Sequence, residues 1–288
     1  MEFVSFGPAI LYPVALTTMM FSMGLTLKTA DFVRIMVKPR AVTLGLLGQL
    51  LFLPIIAFLI VATIPLPPEA AIGLIILSAC PGGVVSNGIV YAVRADVALS
   101  ITLTAVASMI TVFTLPLIVS YGLVFVFGMS AELELPLLDT MRQLFQVTVL
   151  PVSIGMVIHH YLPVFKKMIE NFCRWATIIL LVTMITHGTV LNINILADQL
   201  WLMVVASMLL VCMTMGLGYG CARYFSLNKN QGITISIELG VQNVAMSFFV
   251  AGTFLNRPDF TILPAIYGVC MFTVTAIFLR FMHKRKTL

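Results

Sequence analysis

The sequence predicts an all-α polytopic membrane protein with about nine transmembrane helices. The chain of 288 residues is 60% hydrophobic and only 9% charged, and its mean hydropathy is +1.10. Its apolar runs are continuous and reach about 20 residues, the helical length that crosses about 30 Å of hydrocarbon. The strands of a membrane β-barrel would instead alternate apolar and polar residues in segments of about ten. Helices are therefore needed to satisfy the backbone inside lipid.

Polar and proline-containing stretches divide the chain into nine candidate spans. They cover approximately residues 8–27, 38–63, 69–93, 97–127, 136–159, 168–190, 198–222, 229–255 and 259–282. Every connection is short, so residues 1–288 are expected to form a single transmembrane domain. The first residues, MEFVSFGPAI, contain an acid and no basic cluster, so a cleavable signal is not expected there.

Charge alternates between the connections. All sixteen Lys and Arg residues except Arg142 and Arg257 fall on one side of this topology. The opposite side carries the acidic residues Glu2, Glu69, Glu132, Glu134, Asp139, Asp198 and Asp259. The positive-inside rule then predicts a multi-pass protein of the cell (inner) membrane, with its N-terminus outside and its C-terminus in the cytoplasm. Because topology explains the net charge of +5, no nucleic-acid partner is expected.

Other polar residues give little sign of enzymatic chemistry. The five cysteines lie in or beside apolar segments without metal or disulfide spacing, and they are interpreted as small buried hydrophobes. His159 and His160 are adjacent, so they point to different helix faces, and no HExxH or GxSxG motif is present. An intramembrane enzyme is therefore not expected.

Two spans carry interruptions at mid-depth. The third contains Pro81-Gly82-Gly83, where proline removes a helix donor and glycine permits non-helical angles. The eighth contains Glu238 and Gly240 in ISIELGVQNVAM, at a similar depth but in the opposite direction. Paired interruptions in two halves of a chain indicate the binding site of a secondary transporter. Glycine-rich seams between packed helices are the structural alternative.

Glu238 needs a neutralising partner, because a charge at the centre of a membrane helix costs about 2.5–3.5 kcal/mol. No Lys or Arg lies at mid-depth in the predicted spans, which leaves a proton or a bound cation. Oxygen atoms suited to Na⁺ occur at matching depth. They belong to Ser86, Asn87, Gln49 and the polar stripe Ser100, Thr104, Ser108 and Thr111. The stripe could equally bond to its own helix's carbonyls, and Gln49 could hold two helices together.

Three stretches resemble the bile acid:sodium symporter (BASS) family. They are MGLTLKTADFVRIMVKPRAV, SACPGGVVSNGIVYAVRADVALSITLTAVAS and IELGVQNVAMS, and the resemblance covers essentially the whole chain. It implies two inverted five-helix repeats, with two broken helices crossing in a core domain that packs against a panel domain. Repeat one, about 8–127, would lack its first helix, and repeat two would cover about 136–282.

The resemblance also implies two sodium sites that share one carboxylate. The first would be formed by Ser86, Asn87, Ser100, Thr104 and Glu238. The second would be formed by Gln49, Glu238 and Gln242, with the backbone oxygens of Leu239 and Val241. Two Na⁺ ions against one carboxylate leave about one positive charge, which favours an organic anion nearby.

Substrate contacts are expected from the same resemblance at Val84, Asn243 and Thr273. Val84 stands where relatives often carry a threonine, so a hydroxyl is missing here. The expected function is sodium-coupled symport of a small organic anion, bile-acid-like or a carboxylate, by alternating access. Proton coupling at Glu238 is the alternative. The expected partners are the anion, sodium and the lipid bilayer, with a monomer as the working expectation.

Overall fold

The computed structural model describes residues 10–128, 136–191 and 193–284, and every regular element in these residues is helical. The helices are α1 Tyr12–Gly24, α2 Thr29–Val37, α3 Pro39–Thr63, α4 Pro68–Ala79, α5 Val84–Ala92, α6 Val97–Phe127, α7 Leu137–Tyr161, α8 Pro163–Leu191, α9 Ile193–Tyr224, α10 Lys229–Gly240, α11 Val244–Phe254 and α12 Ile262–Lys284. A short 3-10 turn, Pro258–Thr261, precedes α12.

Within the described residues, six segments are long and apolar enough to cross a membrane. They are Pro39–Thr63, Val97–Phe127, Leu137–Tyr161, Met168–Val190, Gln199–Tyr224 and Pro258–Met282. Each coincides with a predicted span, so the polytopic helical prediction is confirmed. The predicted spans 69–93 and 229–255 are each divided into two shorter helices, α4/α5 and α10/α11. The total of nine spans and the inverted repeats stay predictions.

Some residues used for the predicted topology lie outside the described residues. These are Glu2, the start of the first span, Glu132, Glu134, Arg285 and Lys286. The side chains of Arg34, Lys166, Lys167, Asp198 and Lys284 also lie outside the described part of the chain.

Charged residues predicted on one side of the topology do come together. Arg257 Nε donates to the Asp259 carboxylate at 3.0 Å. Hydrogen bonding to Asp259 raises the pKa of Arg257, and the negative charges of Asp259 and Glu69 raise it further. Partial burial of the guanidinium has the opposite effect but is outweighed. At the other predicted face, Lys38 Nζ forms an ion pair with Asp96 at 3.1 Å. The Lys38–Asp96 pair thus joins two connections predicted on the same side, whereas Arg257 and Asp259 belong to one connection, and the topology stays a prediction.

A proline shapes the helix that carries Gln49. Pro54 has no N–H, and its ring displaces the carbonyl one turn earlier. The preceding residues Gly48–Phe52 form a wider π-helical turn, in which the Leu53 N–H reaches the Gly48 carbonyl. The same combination occurs in α7, where the π turn Phe145–Val149 precedes Pro151. In α3 this turn places Gln49 in the buried interior.

Close helix crossings depend on small residues. A Cβ at Gly24 of α1 would overlap the Val152 carbonyl of α7, and a Cβ at Gly155 would lie 2.5 Å from the Phe21 carbonyl.

Beside the main core, a separate apolar cluster joins α3, α6, α9 and α10. Its buried members are Ala41, Val42, Leu99, Leu103, Ala222, Ile235 and Leu239. This cluster holds together α3, α6 and α10, the helices that carry Gln49, Ser100 and Glu238.

Candidate functional site

The two helix interruptions are in direct contact. Between α4 and α5, Cys80 (φ −75°, ψ 152°) and Gly83 (φ −121°, ψ 172°) are extended. Beyond the end of α10, Val241 leaves the helix with φ −110° and ψ 93°. Gly82 and Gln242 then form an isolated antiparallel bridge. Both predicted interruptions are therefore confirmed, and their backbones pair with each other.

Glu238 lies in the last turn of α10 and is fully buried. Its Oε1 accepts a hydrogen bond from Ser86 at 2.8 Å, and its Oε2 accepts one from Thr104 at 2.9 Å. The Ser100 hydroxyl also donates to Oε1. The Asn87 amide oxygen accepts from Ser100 at 2.7 Å and from Thr104 at 3.3 Å. The structure thus brings together all five residues predicted for the first sodium site.

This cluster holds more acceptor oxygens than hydroxyl hydrogens. Each of the three hydroxyls has one hydrogen, yet each lies near a second acceptor besides Glu238. These second acceptors are the Gly83 carbonyl for Ser86 (2.7 Å), the Asn87 amide oxygen for Ser100 (2.7 Å) and the Ser100 carbonyl for Thr104 (3.0 Å). The surplus lone pairs suit a hard cation, which takes carboxylate, hydroxyl and carbonyl oxygens.

Gln49 and Gln242 present further buried oxygens. The Gln242 Nε2 group donates to the Leu239 carbonyl at 2.8 Å and to the Glu238 carbonyl at 3.2 Å, which leaves its Oε1 without a partner. The amide of Gln49 is buried with neither polar atom bonded. An orphaned buried amide is costly, so a ligand is expected to bind there. These residues fit the second predicted sodium site.

Two asparagines beside the crossing, the place where the two interruptions are in contact, present amide N–H donors instead. The Asn243 Oδ1 accepts from the Met246 N–H at 3.1 Å, so its Nδ2 group is the free end. The Asn87 Oδ1 is engaged with hydroxyls, and its Nδ2 is likewise buried without a partner. Buried N–H groups without acceptors suit an anion. Buried amide donors and buried amide acceptors without partners therefore both occur where the two interruptions meet.

Gly82 permits this close approach. A Cβ at this position would overlap Glu238 Oε2 and lie 3.1 Å from Gln49 Nε2. At the neighbouring Gly83, by contrast, the nearest atom to an added Cβ is the Asn243 Cα at 3.7 Å. The first glycine is thus required sterically, and the second has ordinary space around it.

Several predicted residues are not part of the Glu238 cluster. Ser108 bonds to the Thr104 carbonyl at 2.7 Å and Thr111 to the Ser108 carbonyl at 3.1 Å, as expected for the alternative interpretation of the polar stripe. Thr273 is exposed and bonds to the Val269 carbonyl of its own helix at 3.3 Å. The structure does not bring Thr273 into the buried cluster, so its predicted substrate contact stays a prediction.

The four half-helices differ in exposure. α4, α10 and α11 are largely buried, whereas α5 has an open face. Val84 is half-buried at the start of α5, Gly88 has no atom within 4 Å of an added Cβ, and Tyr91 is 74% exposed. By the predicted topology, α5 runs from mid-depth to the cytoplasmic face. Among the four half-helices, α5 is therefore the most exposed.

Sequence reasoning missed several residues that support the site. Tyr267 of α12 is fully buried and donates to the Gly240 carbonyl at 3.0 Å. A lone phenol inside an apolar span could have identified it. Asp96, Lys38 and Thr234 also link three helices of the site, at the ends predicted to face the cytoplasm. Of these three residues, the sequence pattern indicates only Lys38, as one of the basic residues that predict the topology.

Within the described residues, no three His, Cys, Asp or Glu side chains lie close enough to hold a metal ion. A transition-metal centre of that kind normally uses such ligands. The Glu238 cluster has one carboxylate surrounded by neutral oxygens. That donor set fits an alkali cation.

Comparison with known proteins gives a consistent result. The model of the sodium bile acid symporter family matches residues 13–199. A probable sodium/metabolite cotransporter, BASS2 of Oryza sativa chloroplasts, is 32% identical over 262 residues, which are 91% of this chain and 61% of that protein. The human ileal sodium/bile acid cotransporter is 27% identical over 274 residues, 93% of this chain and 77% of that protein.

A bacterial relative, the uncharacterized sodium-dependent transporter YocS of Bacillus subtilis, is 25% identical over 266 residues. The match covers 89% of this chain and 78% of that protein. The chain spans about three fifths of the length of the plant relatives that it matches.

Proposed function

The chain belongs to the sodium bile acid symporter family, a family of transporters and not of enzymes, and we propose that it carries a small organic anion together with sodium. The protein is an integral multi-pass membrane protein. The proposed transport is secondary active: the sodium gradient supplies the free energy for uptake of the anion.

One observation carries the proposal: Glu238 is fully buried, and the side chains that contact it are neutral hydroxyls. A buried carboxylate without a counter-charge costs several kcal/mol. Sodium bound among the oxygens of Ser86, Asn87, Ser100 and Thr104 would remove most of that cost. A second sodium ion would use Gln49, Gln242 and the carbonyls of Leu239 and Val241, with Glu238 shared between the two ions.

The anion is proposed to bind beside the sodium ions. Two sodium ions and one carboxylate carry a net charge of about +1, and the Nδ2 groups of Asn87 and Asn243 are free to donate. The adjacent helix N-termini add partial positive charge. Val84 and Thr273 complete the proposed substrate-binding residues. A carboxylate or sulfonate head group suits this arrangement, and the sodium ions must be present for it to bind tightly.

Transport is proposed to proceed by alternating access between a core domain and a panel domain. The two inverted repeats, about 8–127 and 136–282, would provide the symmetry that exchanges outer and inner openings. The open face of α5 supports a conformation that is accessible from the cytoplasm. The proposed location is the cell (inner) membrane, with the N-terminus outside.

Direct binding of radioactive sodium to the purified protein tests the proposal without knowledge of the substrate. The wild type should bind sodium saturably, with two ions per chain, and potassium should not compete. Glu238→Gln keeps the size of the side chain but removes its charge, so sodium binding should fall below detection. Glu69→Gln is the matched control, because Glu69 lies at the far end of α4 and is only partly buried.

Retention of sodium binding in Glu238→Gln would refute the assignment. Once a thermal-shift screen of small carboxylates and sulfonates has identified a ligand, uptake into proteoliposomes distinguishes the coupling ion. Uptake driven by a sodium gradient supports the proposal. Uptake driven by a pH gradient in the absence of sodium would establish proton coupling instead.

A further inference from the structure

We propose that Asp96, held by Lys38 and Thr234, is a positioning residue that aligns three helices of the sodium site from the ends predicted to face the cytoplasm. This inference rests on the proposed function and extends it to residues outside the ion-binding cluster. None of the three contacts Glu238 among the interactions described above.

Asp96 controls the start of α6. Its Oδ1 accepts the Leu99 N–H at 3.1 Å, which makes it the N-cap of this helix. Its carbonyl accepts the Ser100 N–H at 3.1 Å. Ser100 is a predicted sodium ligand, and Thr104 follows one turn later. The position of Asp96 therefore determines the position of both hydroxyls relative to Glu238.

The same residue is tied to the other two helices. Its Oδ2 forms the 3.1 Å ion pair with Lys38, the N-cap residue of α3, the helix that carries Gln49. Its backbone N–H donates to the Thr234 hydroxyl at 3.0 Å, and that hydroxyl donates back to the Asp96 carbonyl at 3.3 Å. Thr234 lies one turn before Glu238 in α10. One residue thus contacts all three helices that provide the side chains Gln49, Ser100, Thr104 and Glu238.

Tight packing connects this link to the ion-binding oxygens. Above the link, the apolar cluster of α3, α6, α9 and α10 fills the space between the helices. A Cβ at Gly45 would lie 2.5 Å from the Leu103 side chain, and one at Gly48 would lie 2.6 Å from the Leu239 side chain. A closely packed interior transmits displacements, so a shift of one helix at this end changes the distances among the oxygens.

The experiment compares sodium affinity among variants of the whole protein. Lys38→Met removes the ion pair, Asp96→Asn removes the charge but keeps a cap, and Thr234→Val removes both hydroxyl contacts. Loss of a partly exposed ion pair predicts an increase of about two- to five-fold in the sodium concentration for half-saturation. Loss of the Thr234 contacts should raise that concentration about ten-fold. This is the lower end of the loss in metal affinity that follows mutation of residues that orient metal ligands.

Two controls separate positioning from general instability. Lys38→Arg keeps the ion pair and should restore wild-type sodium affinity. Lys28→Met makes the same substitution at an exposed lysine of the same predicted face and should leave the affinity unchanged. The thermal unfolding midpoint without sodium is measured in parallel, because a purely structural role would lower that midpoint without changing the half-saturating sodium concentration.

Unchanged sodium affinity in Lys38→Met and Thr234→Val, beside a sodium-dependent wild type and an inactive Glu238→Gln, would overturn this inference alone. A wild type that binds no sodium would overturn the proposed function, and this inference with it. A weakened affinity that Lys38→Arg also shows would assign the effect to the side chain's volume and would contradict the role of the ion pair.

Discussion

Both helix interruptions contain non-helical backbone, but their causes differ. The first is local. Pro81 removes a donor, and two carbonyls near the end of α4 are satisfied within the same segment, whereas the Pro81 carbonyl accepts the Asn243 N–H from the second interruption. Cys80, for example, bonds through its N–H to the Leu77 carbonyl at 3.1 Å and through Sγ to the Ile76 carbonyl. Pro81 therefore interrupts α4 through its own chemistry, because it cannot donate a helical hydrogen bond.

The second interruption depends on partners from elsewhere in the chain. Gly240 is its one strong helix breaker, and the ends of α10 and α11 are satisfied partly from outside. Tyr267 of α12 donates to the Gly240 carbonyl, and the Asn243 N–H donates to the Pro81 carbonyl at 3.0 Å. The second interruption therefore depends more on tertiary contacts than the first, and the Asn243–Pro81 hydrogen bond joins the two.

This difference has a functional consequence. Glu238 lies on the interruption that needs support, whereas the glycine that makes room for its carboxylate lies on the interruption that forms by itself. The rigid segment thus defines the space, and the dependent segment brings the charge into it. A sodium ion that binds both segments would stabilise the dependent one most.

The largest expected effect is that of Gly82→Ala, which tests whether the first interruption defines the space for Glu238. The added methyl group would overlap Oε2 of Glu238, so saturable sodium binding should be lost. Gly83→Ala is the matched control, with its nearest contact at 3.7 Å, and it should bind sodium within about two-fold of the wild type. Equal affinities in the two variants would show that the close approach at Gly82 has no role.

A smaller effect is expected for two serines, one in the first turn after each interruption. The Ser86 hydroxyl, in the first turn of α5, crosses to Glu238, but the Ser247 hydroxyl, in the first turn of α11, bonds to the Val244 carbonyl of its own helix at 2.7 Å. Ser86→Ala should therefore weaken sodium binding about 10- to 100-fold, as loss of a charged hydrogen bond predicts. Ser247→Ala should leave sodium affinity unchanged, and isothermal titration of sodium into each variant in sodium-free buffer measures both affinities. A comparable loss in Ser247→Ala would remove the proposed asymmetry.

The smallest effect concerns stability without sodium. Tyr267→Phe leaves the buried Gly240 carbonyl without its donor and should lower the free energy of unfolding by about 1 kcal/mol. Ser78→Ala, beside the first interruption, removes a hydroxyl that bonds locally to the Ile75 carbonyl and should cost less than about 0.5 kcal/mol. Unfolding in mixed micelles provides the comparison. The reverse order of these two costs would contradict the view that the second interruption depends more on tertiary contacts.

The sequence by itself determined the fold class, the first interruption and the types of ion-binding residue. Continuous apolar runs require helices in lipid, and Pro81-Gly82-Gly83 ends a helix through local sterics alone. A lone carboxylate in an apolar segment needs neutralisation wherever that segment packs. Glu238 could therefore be identified as a candidate ion-binding residue without coordinates. These properties depend on short-range chemistry, which a linear sequence records.

Only the tertiary structure decided which oxygens meet. Ser100 and Ser108 belong to the same polar stripe, yet one reaches Glu238 and the other bonds to its own helix, because only one faces α10 at the crossing. Likewise, Gly82 rather than Gly83 accommodates the carboxylate, and Tyr267 caps a helix end 27 residues away. Helix rotation and long-range packing select these partners, and residue spacing along one chain does not specify how two separate helices face each other.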